Sequence, residues 1–240
     1  YRLAGPEVGF ILSDSEARVC VFGGEYTDTV ASIRGQIPAK EFVAISADAP
    51  EWATPYETLI SGSSGQEPEI RGGDDDTLTI LYTSGTTGRP KGAELTHSYY
   101  FWGSVNLMAT LGVQIGETPL IALPLFHIGG LAGPPWFVYQ GAKTVLLRSL
   151  DPKRFLELLG EEKVSGFGSV PALLDFLKLV PYFEMYDWSS VMVILVYSAP
   201  VPVSLIEEYA AVGIEVRQLY CLTENNTGIV LGAEDAVEKA

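Results

Sequence analysis

Short apolar runs separated by helix-length amphipathic stretches recur along the chain, the layout of an α/β fold with largely parallel strands. The pattern predicts a helix over 6–15 and a strand over 18–22. From 51 to 76 the chain turns polar, glycine-rich and acidic, with Ser61-Gly62-Ser63-Ser64-Gly65 and Asp74-Asp75-Asp76 as punctuation, so a mobile surface connection is expected there. A strand at 78–82 then leads into a glycine-rich loop, and Thr96 is placed to cap a helix running to about Leu111. Tyr99, Phe101, Trp102 and Met108 give that helix its apolar surface, which is expected to be core rather than a ligand box. Strands at 120–123, 143–147, 164–167, 191–196 and 215–220 alternate with helices at 151–159, 172–180 and 203–212. Pro171 suits the start of the second of these helices. The candidate ligand-binding residues gather at strand ends, and open α/β sheets bind ligands at the carboxyl ends of their strands.

Composition narrows the class. With 240 residues, 47% of them apolar, the chain can bury a sizeable core as one large domain or two smaller ones. Thirty Asp and Glu against 15 Lys and Arg give a formal charge of −15, which argues against nucleic-acid binding, because that depends on clustered cations. The acidity is read as a device for solubility. Cys20 and Cys221 lack Cys-x-x-Cys spacing and His97 and His127 share no ligand cluster, so neither a disulfide scaffold nor a zinc site is expected and a reducing cytoplasm fits. The apolar stretch 119–139 is broken by Pro124, Gly129, Gly130, Gly133, Pro134 and Pro135, and no transmembrane segment is expected.

The densest chemistry lies in Tyr82-Thr83-Ser84-Gly85-Thr86-Thr87-Gly88-Arg89-Pro90-Lys91-Gly92. Its glycines let backbone N–H groups turn toward an anion, the hydroxyls of Thr83, Ser84, Thr86 and Thr87 add donors, and Lys91 supplies a full charge. Such a loop suits a polyphosphate. It is not the common nucleoside-triphosphate loop, because Lys91 is followed by Gly92. Nor do Gly85, Gly88 and Gly92 have the spacing of a dinucleotide fingerprint. A second run, Tyr220-Cys221-Leu222-Thr223-Glu224, offers a hydroxyl and a hard carboxylate oxygen, and Mg²⁺ takes only one or two protein carboxylates. Glu224 is therefore the candidate metal ligand. Cys221 reads as a small apolar residue, since no neighbouring His or Lys would activate its thiol. His127, after Pro124-Leu125-Phe126, suits either a structural hydrogen bond or a ligand contact.

In their order along the chain these runs resemble the adenylate-forming enzymes, a family that includes acyl-CoA synthetases, firefly luciferases and the adenylation domains of peptide synthetases. The long loop resembles the family's phosphate-binding signature. Residues 124–127 fall where the family has an apolar turn ending in an acyl-pocket residue, and Tyr197-Ser198-Ala199-Pro200 is similar to the segment that holds adenine. Residues 220–224 are similar to its Tyr-Gly-x-Thr-Glu motif, with Cys221 in place of the glycine. The resemblance runs from the first residues to the last. It implies a layered αβαβα large-domain fragment with mostly parallel sheets, in which 1–76 belong to a first subdomain and 77–240 form the phosphate-loop and adenine-binding core. Family members also carry an N-terminal portion, a ribose-binding aspartate and a C-terminal lid with a catalytic lysine. These are expected outside residues 1–240, and the fragment alone is expected to be inactive.

The activity implied is ATP- and Mg²⁺-dependent conversion of a carboxylic acid to an acyl-adenylate, followed by transfer to coenzyme A. By the same resemblance Thr83, Ser84, Gly85, Thr86, Thr87, Gly88 and Lys91 hold the phosphates, Thr223 the α-phosphate region and Glu224 the metal. Lys91, Thr223 and Glu224 are the catalytic group. Ser198, Ala199, Pro200, Tyr220, Cys221 and Leu222 surround the nucleotide, and His127, Tyr197 and Cys221 meet the acid. Amino-acid-activating relatives place an aspartate where this chain has Phe126-His127-Ile128, and an ammonium without a buried acid is costly to desolvate. An acid with an apolar or aryl body is the expected substrate. The alternatives are a luciferase-like or carrier-protein-loading enzyme, or a nucleotide-binding domain without turnover, which the departures at Cys221 and Asn225-Asn226 leave open.

Overall fold

Alternating burial sets the strands. In Val19–Gly23 (β1) Cys20 and Phe22 are buried while Val19 and Val21 face outward, as a period of two requires. The computed structural model describes residues 2–85, 88–111, 116–225 and 228–230. The chain divides into two units, Tyr1–Gly72 with Tyr82–Gly92, and Gly73–Leu81 with Ala93–Ala240.

The first unit starts with helix α1 (Gly5–Asp14), which carries proline in its first turn and ties the Ala4 N–H to Glu7 Oε2 at 2.7 Å. After β1 come α2 (Thr27–Ile33), β2 (Glu41–Ile45), β3 (Thr54–Pro55) and α3 (Tyr56–Ser61). The three strands form a parallel sheet with β2 in the middle, Val19 opposite Glu41 and Val43 opposite Thr54. Cys20, Phe22, Val30, Ile37 and Ala44 make its core. Trp52 stacks on Phe22 with centroids 5.5 Å apart, and the Arg34 guanidinium lies over the Trp52 ring at 5.1 Å. The polar stretch 51–76 therefore differs from the connection that its composition predicts. It holds β3 and α3, and only 51–53 and 62–76 lack helix and strand. A helix of six residues with Leu59 and Ile60 exposed has too little periodicity to be read from sequence.

Strands β4 (Thr77–Thr83) and β5 (Lys91–Thr96) pair as a two-stranded sheet, and the division between the units falls within both.

The second unit continues with α4 (His97–Leu111), started by Thr96, whose Oγ1 accepts from the Tyr99 N–H at 3.1 Å. Then follow β6 (Pro119–Ile121), α5 (Ile128–Leu131), α6 (Gly133–Tyr139), β7 (Val145–Leu146), α7 (Pro152–Glu161), β8 (Gly166–Ser169) and α8 (Pro171–Lys178). The unit ends in β9 (Val193–Val196), α9 (Val203–Ala211), β10 (Val216–Tyr220) and β11 (Ile229–Val230). Its six strands lie in the order β11-β10-β9-β8-β6-β7. All neighbours are parallel except β11, which runs antiparallel to β10.

Ile194 and Val196 face one side of this sheet, where α7, α8 and α9 bury Phe155, Leu159, Leu174 and Tyr209. Asp151 begins α7 by accepting from the Arg154 N–H at 3.0 Å. Leu195 and Tyr197 face the other side, with Leu107 of α4 and Trp136 and Phe137 of α6. Within α4 the buried stripe is Tyr100, Gly103, Ser104 and Leu107, whereas Phe101 and Trp102 are 45% and 58% exposed. This corrects the core assignment of those two aromatics. The helix is apolar nearly all round, so its pattern does not say which side is covered. Among the described residues no helix is long and apolar enough to cross a membrane.

Tyr209 is completely buried, and its hydroxyl donates to the Leu174 carbonyl at 2.9 Å across α9 and α8. Tyr209→Phe keeps the ring and leaves that carbonyl short of a donor. It is expected to cost about 1 kcal/mol in a denaturant melt. An unchanged midpoint would show that the bond contributes nothing net.

Candidate active site

Turn chemistry shapes the loop between β4 and β5. Gly85 sits at φ +46°, where an added Cβ would run into the Arg89 carbonyl, and Gly88 sits at φ +82°. Both positions need glycine. The Gly88 N–H donates to the Gly85 carbonyl at 3.3 Å, closing the turn. Thr83 Oγ1 lies 3.5 Å from the Lys91 carbonyl oxygen. Ser84, Arg89 and Lys91 are exposed, and among the described residues neither cation is paired with a carboxylate. Thr86 and Thr87 lie outside the described residues. Tyr82, entering the loop, donates to Asp14 Oδ2 at 2.7 Å. Burial, helped by the Asp14 carboxylate, pushes its phenol up to about 12.

The other predicted site residues lie in the second unit, at the carboxyl edge of its sheet. Because β6, β8, β9 and β10 are parallel, the segments that leave them all emerge at one edge. After β6 the chain turns through Pro124, whose carbonyl accepts from the His127 N–H at 3.1 Å. His127 then caps α5, its Nδ1 accepting from the Gly129 N–H at 3.0 Å. The neutral ring therefore carries its proton on Nε2. The His127 side chain is exposed.

After β9 the Tyr197 N–H bonds the Ser169 carbonyl at 3.1 Å, and after Pro200 the Val201 N–H bonds Gln218 Oε1 at 3.0 Å. Ser198, Ala199 and Pro200 are held exposed between these two points. Ser198 takes φ +75°, a left-handed conformation that non-glycine residues seldom adopt. After β10 the Leu222 N–H bonds Asn225 Oδ1 at 2.7 Å, and the Tyr99 hydroxyl donates to the Thr223 carbonyl at 2.6 Å. Glu224 is exposed in that turn, as are Tyr220 and Leu222, and Asn226 lies outside the described residues. No group of three or more His, Cys, Asp or Glu gathers among the described residues, and Glu224 is the one carboxylate in its turn.

A cavity lies on the α4/α6 side of the sheet. Leu107, Ile121, Trp136, Phe137, Leu195 and Leu219 supply apolar wall, and among the described residues no charged side chain lines it. His127 is not among the lining residues, whereas Tyr197 and Cys221 are. The Tyr197 hydroxyl donates to the Gly129 carbonyl at 2.5 Å. Its ring is seated between two glycines. A Cβ on Gly129 would lie 2.8 Å from the ring, and one on Gly168 would also collide with it. Burial, with a smaller part from Cys221, raises the Tyr197 phenol above its ordinary value, and burial raises the Cys221 thiol. Both stay protonated at neutral pH, which removes Cys221 as a nucleophile.

Sequence reasoning missed the two glycines and the α6 wall. The signal for Gly168 was present, since two glycines in a four-residue strand, Gly166 and Gly168, mark a close approach by another group. The α6 wall was hidden because Gly133, Pro134 and Pro135 read as breakers, yet prolines in a first helical turn start a helix.

The family model described as AMP-binding enzyme matches residues 1–240. The chain is 36% identical over 242 residues to a long-chain-fatty-acid–CoA ligase, FadD13, of Mycobacterium tuberculosis, an alignment covering 100% of this chain and 47% of that protein. An inhibitor-bound structure of the N-terminal domain of FACL13 from M. tuberculosis superposes with a TM-score of 0.90 at 35% identity, covering 100% of this chain and 59% of that one. O-succinylbenzoate coenzyme A synthetase (MenE) from Bacillus subtilis, in complex with ATP and magnesium ion, gives 0.82 at 26% identity, covering 98% and 46%. The chain spans about half the length of the curated relatives that it matches.

Proposed function

The chain belongs to the AMP-binding enzyme family, and from that premise we propose that it serves the ATP- and Mg²⁺-dependent activation of a carboxylic acid, whose acyl group then passes to coenzyme A. One observation carries the choice of substrate. The cavity beside Tyr197 and Cys221 is apolar, holds no charged side chain among the described residues and adjoins the carboxyl edge of the sheet. An ammonium there would lose its water without gaining a partner. An acid with an apolar or aryl body suits it, and the ligases named above, for a fatty acid and for succinylbenzoate, are in keeping with that class.

In the reaction proposed, a carboxylate oxygen attacks the α-phosphorus, the bond to pyrophosphate breaks, and the thiolate of coenzyme A later displaces AMP from the acyl carbon. No side-chain nucleophile is required. Nucleotidyl transfer depends on positioning and on stabilising charge, which suits a site made of donors, a cation and a metal ligand. Lys91, with Thr83, Ser84, Gly85, Thr86, Thr87 and Gly88, is assigned the phosphates. Thr223 is assigned the α-phosphate oxygens. Glu224 is assigned Mg²⁺, which it would hold through a carboxylate oxygen and which would supply charge neutralisation for the polyphosphate. Ser198, Ala199, Pro200, Tyr220 and Leu222 are assigned the adenine region, and Tyr197 with Cys221 the acid. His127 is given the positioning of the α5 turn. Two free cysteines, one buried and one half-buried, support a reducing cytoplasm.

The test is acid-dependent exchange of pyrophosphate into ATP by the complete gene product with a panel of acids. Apolar and aryl acids are expected to support exchange, amino acids are not, and added coenzyme A is expected to yield a thioester. Exchange that requires an amino acid, or none with any acid, would overturn the reading.

A further inference from the structure

Behind the acid cavity lies a second one. The two share Trp136, Phe137, Gly168 and Leu195 as walls, so they adjoin. Their other linings give their order. The first takes in Tyr197 and Cys221, beyond the carboxyl ends of β9 and β10, and the second takes in Pro119, Gly166 and Val193, the first residues of β6, β8 and β9. The cavities therefore run in series along one face of the sheet, from the carboxyl ends of the strands toward their amino ends. From Val193 to Tyr197 that path is about 13 Å at the ordinary strand rise.

The second cavity differs from the first in chemistry. Trp136 and Gln140, each 7% exposed, both line it, and among the described residues neither Trp136 Nε1 nor Gln140 Nε2 has a hydrogen-bond partner. Buried donors almost always find an acceptor, and an orphan pair beside a cavity is costly in a ligand-free protein. We propose that this cavity is a distal subsite, in which Trp136 Nε1 and Gln140 Nε2 donate to a neutral oxygen at the far end of the acid, a carbonyl, ether or hydroxyl. The half-buried Glu117 carboxylate also lines the subsite and disfavours a second carboxylate there. The inference rests on the acid-activating reading above and specifies its substrate as an acid oxygenated far from its carboxyl group.

A site that donates to a substrate oxygen discriminates strongly against the analogue without it, because its donors are then left unpaired. The experiment compares length-matched acids in pyrophosphate exchange by the complete gene product: a plain alkanoate, its penultimate-carbon ketone, its terminal alcohol and the dicarboxylate. The ketone and alcohol are expected to exceed the alkanoate in kcat/KM by about tenfold or more, with the dicarboxylate below both. Gln140→Leu is expected to abolish that preference, to keep turnover of the alkanoate and to leave the thermal midpoint no lower, since it removes an unsatisfied donor; Trp136→Phe, which also alters the wall of the first cavity, is expected to abolish the preference. Activity with plain acids and no preference for the oxygenated ones, or a preference that survives both variants, overturns the subsite and leaves acid activation standing. Exchange with no acid overturns acid activation instead. Equilibrium dialysis of the labelled ketone acid then decides the subsite alone, through tighter binding than the alkanoate and loss of that advantage in Gln140→Leu, or through equal binding that refutes it.

Discussion

Alanine at Lys91 is expected to lower acid-dependent pyrophosphate exchange in the complete gene product by about a hundredfold or more while leaving the thermal midpoint in place. The side chain is exposed at the start of β5 and makes no ion pair among the described residues, so the fold does not rely on it. Its charge is therefore available to phosphate, and charge-assisted bonds to phosphate oxygens are among the stronger ones that a protein makes. Lys91→Arg keeps the charge and should recover part of the loss. Lysine acts as a compact point charge, and the wider guanidinium fork will not reproduce its placement. Arg89→Ala, next to the same turn, is expected to cost less. A correctly folded Lys91→Ala enzyme that exchanges at the original rate would remove this residue from the chemistry.

Gly130→Ala is expected to be the most disruptive single-methyl change near the acid cavity. Its Cβ would meet the Pro124 carbonyl oxygen and come within 2.6 Å of the Leu123 carbonyl oxygen and the Pro124 carbonyl carbon. Those are backbone atoms of the turn that carries His127, and they cannot swing aside as a side-chain tip can. The turn has to open, at a cost of about 3 kcal/mol, the upper end for overpacking. Opening it displaces α5, and with it the Gly129 carbonyl that holds the Tyr197 hydroxyl. Stability and acid affinity should fall together. Gly65→Ala is the control, since nothing lies within 4 Å of its Cβ and it should stay within about 0.5 kcal/mol. A Gly130→Ala protein as stable as that control would show that the turn yields easily.

How much of this was legible in the chain depends on what each residue answers to. The continuous apolar run of β9 and the proline start of α8 are local signals, and they gave those elements to within a residue or two. Glycines at positive φ in the loop are local as well, and Gly85 and Gly88 were readable as turn formers. Tyr197 lies at the exit of β9, and its apolar neighbours mark a strand, but nothing in them says that Gly129 and Gly168 make room for its ring. That fit is set by partners 68 and 29 residues away along the chain. The capping bond of His127 depends on the N–H two residues later, which any loop or helix start could offer. The orphan donors of Trp136 and Gln140 could not be inferred from sequence, because an unmet partner is a property of the assembled core.

The order of strands β10-β9-β8-β6-β7 also bears on how the molecule is made. Strand β9 is the link between β8 and β10, and it emerges from the ribosome after every element that it joins except β10. Until residues 193–197 are synthesised, Phe137 and Gly168 have been made but face no Leu195 and no Tyr197. The cavity's walls run from Leu107 to Cys221, so no earlier point in synthesis can enclose it. Contacts of such long sequence separation form slowly, because the loop entropy is spent before the packing is gained. A growing chain therefore holds the apolar side of α4 and α6 uncovered for the length of about sixty further residues, several seconds at ordinary elongation rates. That interval is when this protein most needs shielding from its neighbours, and a chaperone that recognises exposed aromatic helices would find Trp136 and Phe137 within reach.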